Sequence, residues 1–229
     1  MKRNRGGERD LDHIIMAASR GLDRASLEYP MVRAGLILMM DRTFTERQNS
    51  IVVEKAIRYS SRGIVGIDIA GPRPGGGRYP YRELAPLVEE ARNAGLGVTI
   101  HVGEEGEEHG DAEIGEVIEQ LRPDRIGHGI LAARNPELMS GLREQEIVLE
   151  ICPTSNLLTR ALADEAAVRE TFRAFVDNGV PFTIATDGPE MMRTHLRDEF
   201  ELLERIGALD QNELGEANRR GHEASFVQA

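Results

Sequence analysis

The sequence predicts an α/β fold of parallel strands alternating with helices, and two observations carry that prediction. Six short apolar runs, Val32–Asp41, Ile64–Gly71, Gly97–Glu104, Asp124–Ile130, Ile147–Ser155 and Phe182–Gly188, are rich in Ile, Val and Leu and do not strictly alternate. That is the pattern of strands buried on both faces of a parallel sheet. The starts of these runs are spaced 30 residues apart on average, with helical periodicity between them. This is the spacing of βα units with right-handed crossovers.

The helices follow from local signals. Thr45-Glu46-Arg47-Gln48 has capping-box spacing and opens a helix to about Ser60. From Tyr81 to Ala94, Leu84, Leu87, Val88 and Ala91 keep a helical period, and Gly95 closes it. Ala112–Leu121, Pro136–Glu146 and Ala163–Asn178 read likewise. Beyond the last strand come Leu196–Ile206 and Asp210–Phe226, the second opened by an Asp variant of the capping box. Leu11–Ser26 is helix-like and precedes the first strand. Pro72–Gly77 (PRPGGG) lacks the GK[ST] ending of a phosphate-cradling loop and reads as a strand-to-helix loop over a pocket. No linker divides residues 1–229, which read as a single domain.

Composition narrows the function. Of 229 residues, 39 are acidic and 28 basic, a formal charge of −11, which argues against nucleic acid as a general partner. No apolar run approaches membrane-spanning length and no apolar signal region follows the charged start, so a cytoplasmic protein without a membrane partner is expected. The single cysteine, Cys152, excludes an internal disulfide framework and a cysteine-rich zinc site. It reads as a small buried residue rather than a nucleophile.

Polar residues of catalytic type gather at the C-terminal ends of the runs: Asp68 to Gly71, His101 to Glu104, Gly127-His128-Gly129, Cys152 to Asn156, and Asp187-Gly188. In a parallel βα array those ends share one face, the face where such folds bind and react. Singly, His101 reads as a hydrogen-bonded core histidine and Asp187 as a helix cap. His109 and most of the acidic tract after Glu104 read as solvated loop, and His13, His195 and His222 as helix residues. Together, an imidazole and a carboxylate at neighbouring strand mouths suit a divalent metal such as zinc. Glu104 can move protons without joining that metal, and His128 can orient a water.

At these residues the sequence resembles the adenosine deaminase family, metal-dependent hydrolases built on a TIM barrel. The matching pieces are GIDIAG (66–71), TIHVGEEG (99–106), RIGHG (125–129), LEICPTSN (149–156) and TIATDGP (183–189). The resemblance runs from about residue 30 onward. It implies that His101 and Asp187 are ligands of one Zn²⁺, and that Glu104 is the general acid protonating purine N1. It further implies that His128 orients the attacking water and that Gly71 offers its backbone N–H to the ring. The implied reaction is hydrolytic replacement of the 6-amino group of adenosine or a related purine nucleoside, with release of ammonia. Two departures stand out. Gly188 replaces the second of the family's paired aspartates, and no H-x-H pair occurs anywhere. At about 30 residues per unit the chain supplies six βα units, strands three to eight of an incomplete (β/α)8 barrel. Open edges of such a sheet predict self-association, and the weakened donor set predicts poor zinc affinity. The alternatives are a non-catalytic relative that binds a ligand or partner, and another metal-dependent hydrolase of the same barrel class.

Overall fold

In a computed structural model, residues 8–72, 79–104 and 109–227 are described. They fall into two compact units, Met1–Pro74 with Pro86–Val98 and Phe226–Ala229, and Gly75–Ala85 with Thr99–Ser225. Residues 73–78, which take in all of the PRPGGG segment but Pro72, and the acidic stretch 105–108 lie outside the described residues.

The first unit holds α1 (Glu8–Glu28), β1 (Leu36–Asp41), α2 (Glu46–Arg58), β2 (Ile64–Ala70) and nearly all of α3 (Ala85–Asn93). β1 and β2 run parallel, with Asp41 opposite Ala70. The capping box forms as its spacing requires: the Thr45 hydroxyl accepts from Gln48 N–H, and the Gln48 side chain accepts from Thr45 N–H at 2.9 Å. α2 then turns Val52, Val53 and Ala56 inward to at most 2% exposure, each valine contributing about 1.5–3 kcal/mol. On the same helix Lys55, 3% exposed, reaches Asp12 of α1 at 3.0 Å. Asn49, also buried, staples α2 to the end of β1 by accepting from Asp41 N–H and donating to its carbonyl. The Phe226 ring lies against Gly97 and Gly66, and a Cβ at Gly97 would collide with it.

Most of β3 (Gly97–Val102) belongs to the second unit, followed by α4 (Gly110–Glu116), β4 (Arg125–His128), α5 (Pro136–Glu144) and β5 (Val148–Ile151). α6 (Pro153–Leu158), α7 (Glu165–Asp177), β6 (Phe182–Ile184), α8 (Pro189–Met192), α9 (Leu196–Arg205) and α10 (Gln211–Glu223) complete it. β3 to β6 pair in chain order, all parallel. The six strands stand on the six apolar runs, trimmed at the ends.

Some details depart from the sequence expectation. The helix expected over Tyr81–Ala94 starts as a 3-10 turn, Tyr81–Leu84, and only then becomes α3, with Pro86 in its first turn where no N–H is needed. The one expected over Ala112–Leu121 is α-helical only to Glu116 and finishes as a π turn, Val117–Leu121. The strands of the second unit are not apolar on both faces. Ile100, Ile126, Leu149 and Ile151 are fully buried. The alternate positions carry Thr99, Arg125 and Glu150, bound to one another: Thr99 Oγ1 donates to Glu150 at 2.6 Å and Arg125 Nε lies 2.9 Å from it. Thr99 and Glu150 tolerate their burial by pairing, and Arg125 is held by the Glu150 charge and by donating from Nη1 to the Ala224 carbonyl at 2.7 Å. Among the described residues, no helix is long and apolar enough to cross a membrane.

Candidate active site

The second unit brings His101, Glu104 and His128 into one cluster and places Asp187 close enough to act on His128 electrostatically. His101 sits one residue before the end of β3, in register with Gly127 of β4, while Val102 faces His128. Gly127 is what lets the His101 imidazole settle there. A Cβ at position 127 would stand 2.9 Å from His101 Cγ and 3.0 Å from its Nδ1. The His101 and His128 rings meet edge to face, with centroids 5.5 Å apart.

His128 ends β4 with φ 61, and Asp187 follows β6 with φ 59. Left-handed backbone is costly for residues with a Cβ and recurs where structure is held for function. Both sit where a glycine would be less strained, which marks their side chains as the reason they are there. His128 is 2% exposed. Its Nδ1 lies 3.0 Å from Asn156 Nδ2 and its Nε2 lies 3.5 Å from Glu104 Oε2. Burial is the main influence on His128 and pushes it below its ordinary value. The Glu104 charge opposes that shift, His101 adds to it, and Asp187 and the Asn156 bond oppose it. The net direction favours a neutral imidazole.

Asp187 is exposed, and its Oδ2 accepts from Ser155 Oγ at 2.7 Å. Glu104 is half-buried, with Thr159 Oγ1 3.4 Å from its Oε1. Gly71 belongs to the first unit, where it closes β2 at φ 91 and its carbonyl accepts from Arg42 at 2.5 Å. Cys152 is buried, and its thiol is pushed far up by burial and by the Asp187, Glu150 and Glu199 carboxylates. That is the chemistry of an inert thiol. His109 is exposed beside α4, His13 lies on α1 and His222 on α10, all outside this cluster, while His195 is the N-cap of α9.

Sequence reasoning gave no role to Ser155, Asn156 or Thr159, although Ser155 and Asn156 were visible as polar residues just past a strand end. The signal for them is the run of hydrogen-bonding side chains through Thr154-Ser155-Asn156, straight after the strand.

The donor set for a metal is incomplete. Among the described residues no group of three or more His, Cys, Asp or Glu side chains is arranged to hold an ion. A catalytic zinc takes three protein ligands and a water, and the described residues offer two candidates, His101 and Asp187, short of that set.

Among the described residues six parallel strands alternate with helices, and histidines and carboxylates stand at their C-terminal ends, which places the chain in the TIM-barrel class. Within that class the assignment is specific: residues 4–229 match the family described as adenosine deaminase, and the chain belongs to that family. It is 38% identical over 174 residues to the aminodeoxyfutalosine deaminase of Streptomyces coelicolor, covering 75% of this chain and 42% of that protein. It is 32% identical over 201 residues to the adenosine deaminase of Vibrio vulnificus strain CMCP6, covering 85% and 58%. Among solved structures it resembles the Arabidopsis N6-mAMP deaminase, with a TM-score of 0.72, 27% identity, and 85% of this chain and 55% of that one covered. The chain thus spans about half the length of the curated relatives it matches.

Proposed function

We propose that residues 1–229 act as one adenosine deaminase-like domain that hydrolytically deaminates adenosine or a related 6-aminopurine nucleoside. In this reading water adds at C6 of the purine, the ring nitrogen N1 takes a proton, and the amino group leaves as ammonia. Glu104 supplies the proton to N1, so that charge does not build on the ring as water adds. His128, neutral and buried, orients the water. His101 and Asp187 are the donors this chain offers to a zinc ion, which when bound would lower the pKa of water. The relatives, named as deaminases of aminodeoxyfutalosine, adenosine and N6-mAMP, support the substrate class.

The observation that carries the reading is the Glu104–His128 pair, 3.5 Å apart on a histidine held at φ 61. It is tested by ammonia release from a panel of 6-aminopurine nucleosides and nucleotides, with zinc supplied in excess and bound zinc measured alongside. Glu104→Gln removes the titratable proton and keeps size. It should lower kcat by about 10²–10⁴-fold with bound zinc unchanged. Asp187→Ala should lose zinc and activity together. A Glu104→Gln variant with near-full activity withdraws the acid assignment. Absence of ammonia release from every compound replaces the catalytic reading with the binding one.

A further inference from the structure

One short segment, α6 with the residue after it, touches three of the four second-unit residues singled out above. Ser155 Oγ donates to Asp187 Oδ2 at 2.7 Å, Asn156 Nδ2 lies 3.0 Å from His128 Nδ1, and Thr159 Oγ1 lies 3.4 Å from Glu104 Oε1. Ser155 and Asn156 are completely buried. The segment is held from behind by Glu199, itself fully buried, whose Oε2 accepts from Thr154 N–H at 2.9 Å. Glu199 Oε1 accepts from Thr194 Oγ1 at 2.7 Å.

A neutral imidazole carries one N–H and one lone pair, and the partner of one nitrogen decides which is which. The nitrogen of an Asn amide can only donate, so Nδ1 of His128 must accept from Asn156 and the ring proton belongs on Nε2. On that side the neighbour, 3.5 Å away, is Oε2 of the Glu104 carboxyl, an oxygen able to accept. Both neighbours therefore select the same tautomer. Turning the amide over would put the proton on Nδ1 and leave the Nε2 lone pair facing the Glu104 oxygen. We propose that α6 is a positioning element and that Asn156, through its bond to Nδ1, holds the His128 proton on Nε2. His128 would then orient a water by donating to it and could not serve as its base. The inference rests on reading His128 and Glu104 as site residues, but its test needs no turnover, so the two can fail separately.

The test is a long-range ¹H–¹⁵N correlation spectrum of the full ¹⁵N-labelled chain, recorded at a pH where its histidines are neutral. His128→Gln identifies the ring signals by their loss. The expected result is a pyrrole-type shift at Nε2 and a pyridine-type shift at Nδ1. Asn156→Asp puts a carboxylate acceptor against Nδ1 and should reverse the pattern. Ser155→Ala breaks the bond to Asp187 and should leave it intact. A wild-type His128 protonated on Nδ1 overturns the proposal even if the aspartate variant does not fold. So does a folded Asn156→Asp chain that keeps its proton on Nε2.

Discussion

Replacing Gly127 by alanine tests whether the His101 imidazole owes its place to a missing side chain. The new Cβ would meet three ring atoms of His101, at 2.9, 3.0 and 3.1 Å. Carbon pairs are comfortable at about 3.5–4.0 Å, so the ring has to retreat by roughly half an ångström to one ångström. His101 is only half-buried, so the ring can yield toward solvent rather than force the backbone apart. The stability cost should therefore lie near the low end of the overpacking range, about 1–2 kcal/mol. Function should suffer more, because a displacement of about 1 Å in an active-site group can cost about 10²-fold in rate. Urea unfolding gives the first quantity, and ammonia release from a responsive 6-aminopurine gives the second. A change in the His101 and His128 ring proton shifts reports the displacement itself. If Gly127→Ala retains activity within a few-fold, or unfolds the protein outright, the close approach is not what positions His101.

The parts of the fold that the sequence made legible are those written locally. The six apolar runs became the six strands because each needs only its own residues to be recognised. The boxes at Thr45 and Asp210 were legible because cap and partner stand three residues apart. The box at His195 was not, because histidine is an uncommon cap, and the periodicity of the following helix absorbed it. α6 and α8, six and four residues long, are too short to display a helical period, and both hide behind a proline at their first turn. The chemistry-bearing residues were legible from their place at strand ends. What held them was not, because the contacts are remote in sequence: Ser155 to Asp187 spans 32 residues, Asn156 to His128 spans 28 and Thr159 to Glu104 spans 55. The left-handed backbone of His128 and Asp187 was equally hidden, since His and Asp adopt it more often than most residues but far too rarely to announce it in a sequence.

Three further outcomes are expected. Cys152, 5% exposed with its thiol pushed far up, should resist iodoacetamide in the native chain at pH 8 and react once denatured; rapid native labelling would contradict its burial. The purified chain should carry zinc below one equivalent by elemental analysis, since no group of three donors is assembled among the described residues. Stoichiometric zinc surviving dialysis against a chelator would mean that donors have been missed. Finally, the Lys55–Asp12 pair should tie α1 to α2. Lys55 has 4% of its side chain exposed and Asp12 22%, so Lys55→Met leaves behind a carboxylate that water can partly reach. The loss should fall at or below the lower end of the range for broken buried pairs, about 2–3 kcal/mol. The hydrogen bond from Lys55 is the largest influence on Asp12 and holds its carboxyl below the ordinary 3.8. A depressed carboxylate contributes stability that is complete above its unfolded value and disappears as pH falls through the folded one. The wild-type chain should therefore lose stability more steeply than Lys55→Met as pH falls below about 4, and the two should converge in acid. Parallel pH profiles for the two chains would show that the contact does not stabilise the fold.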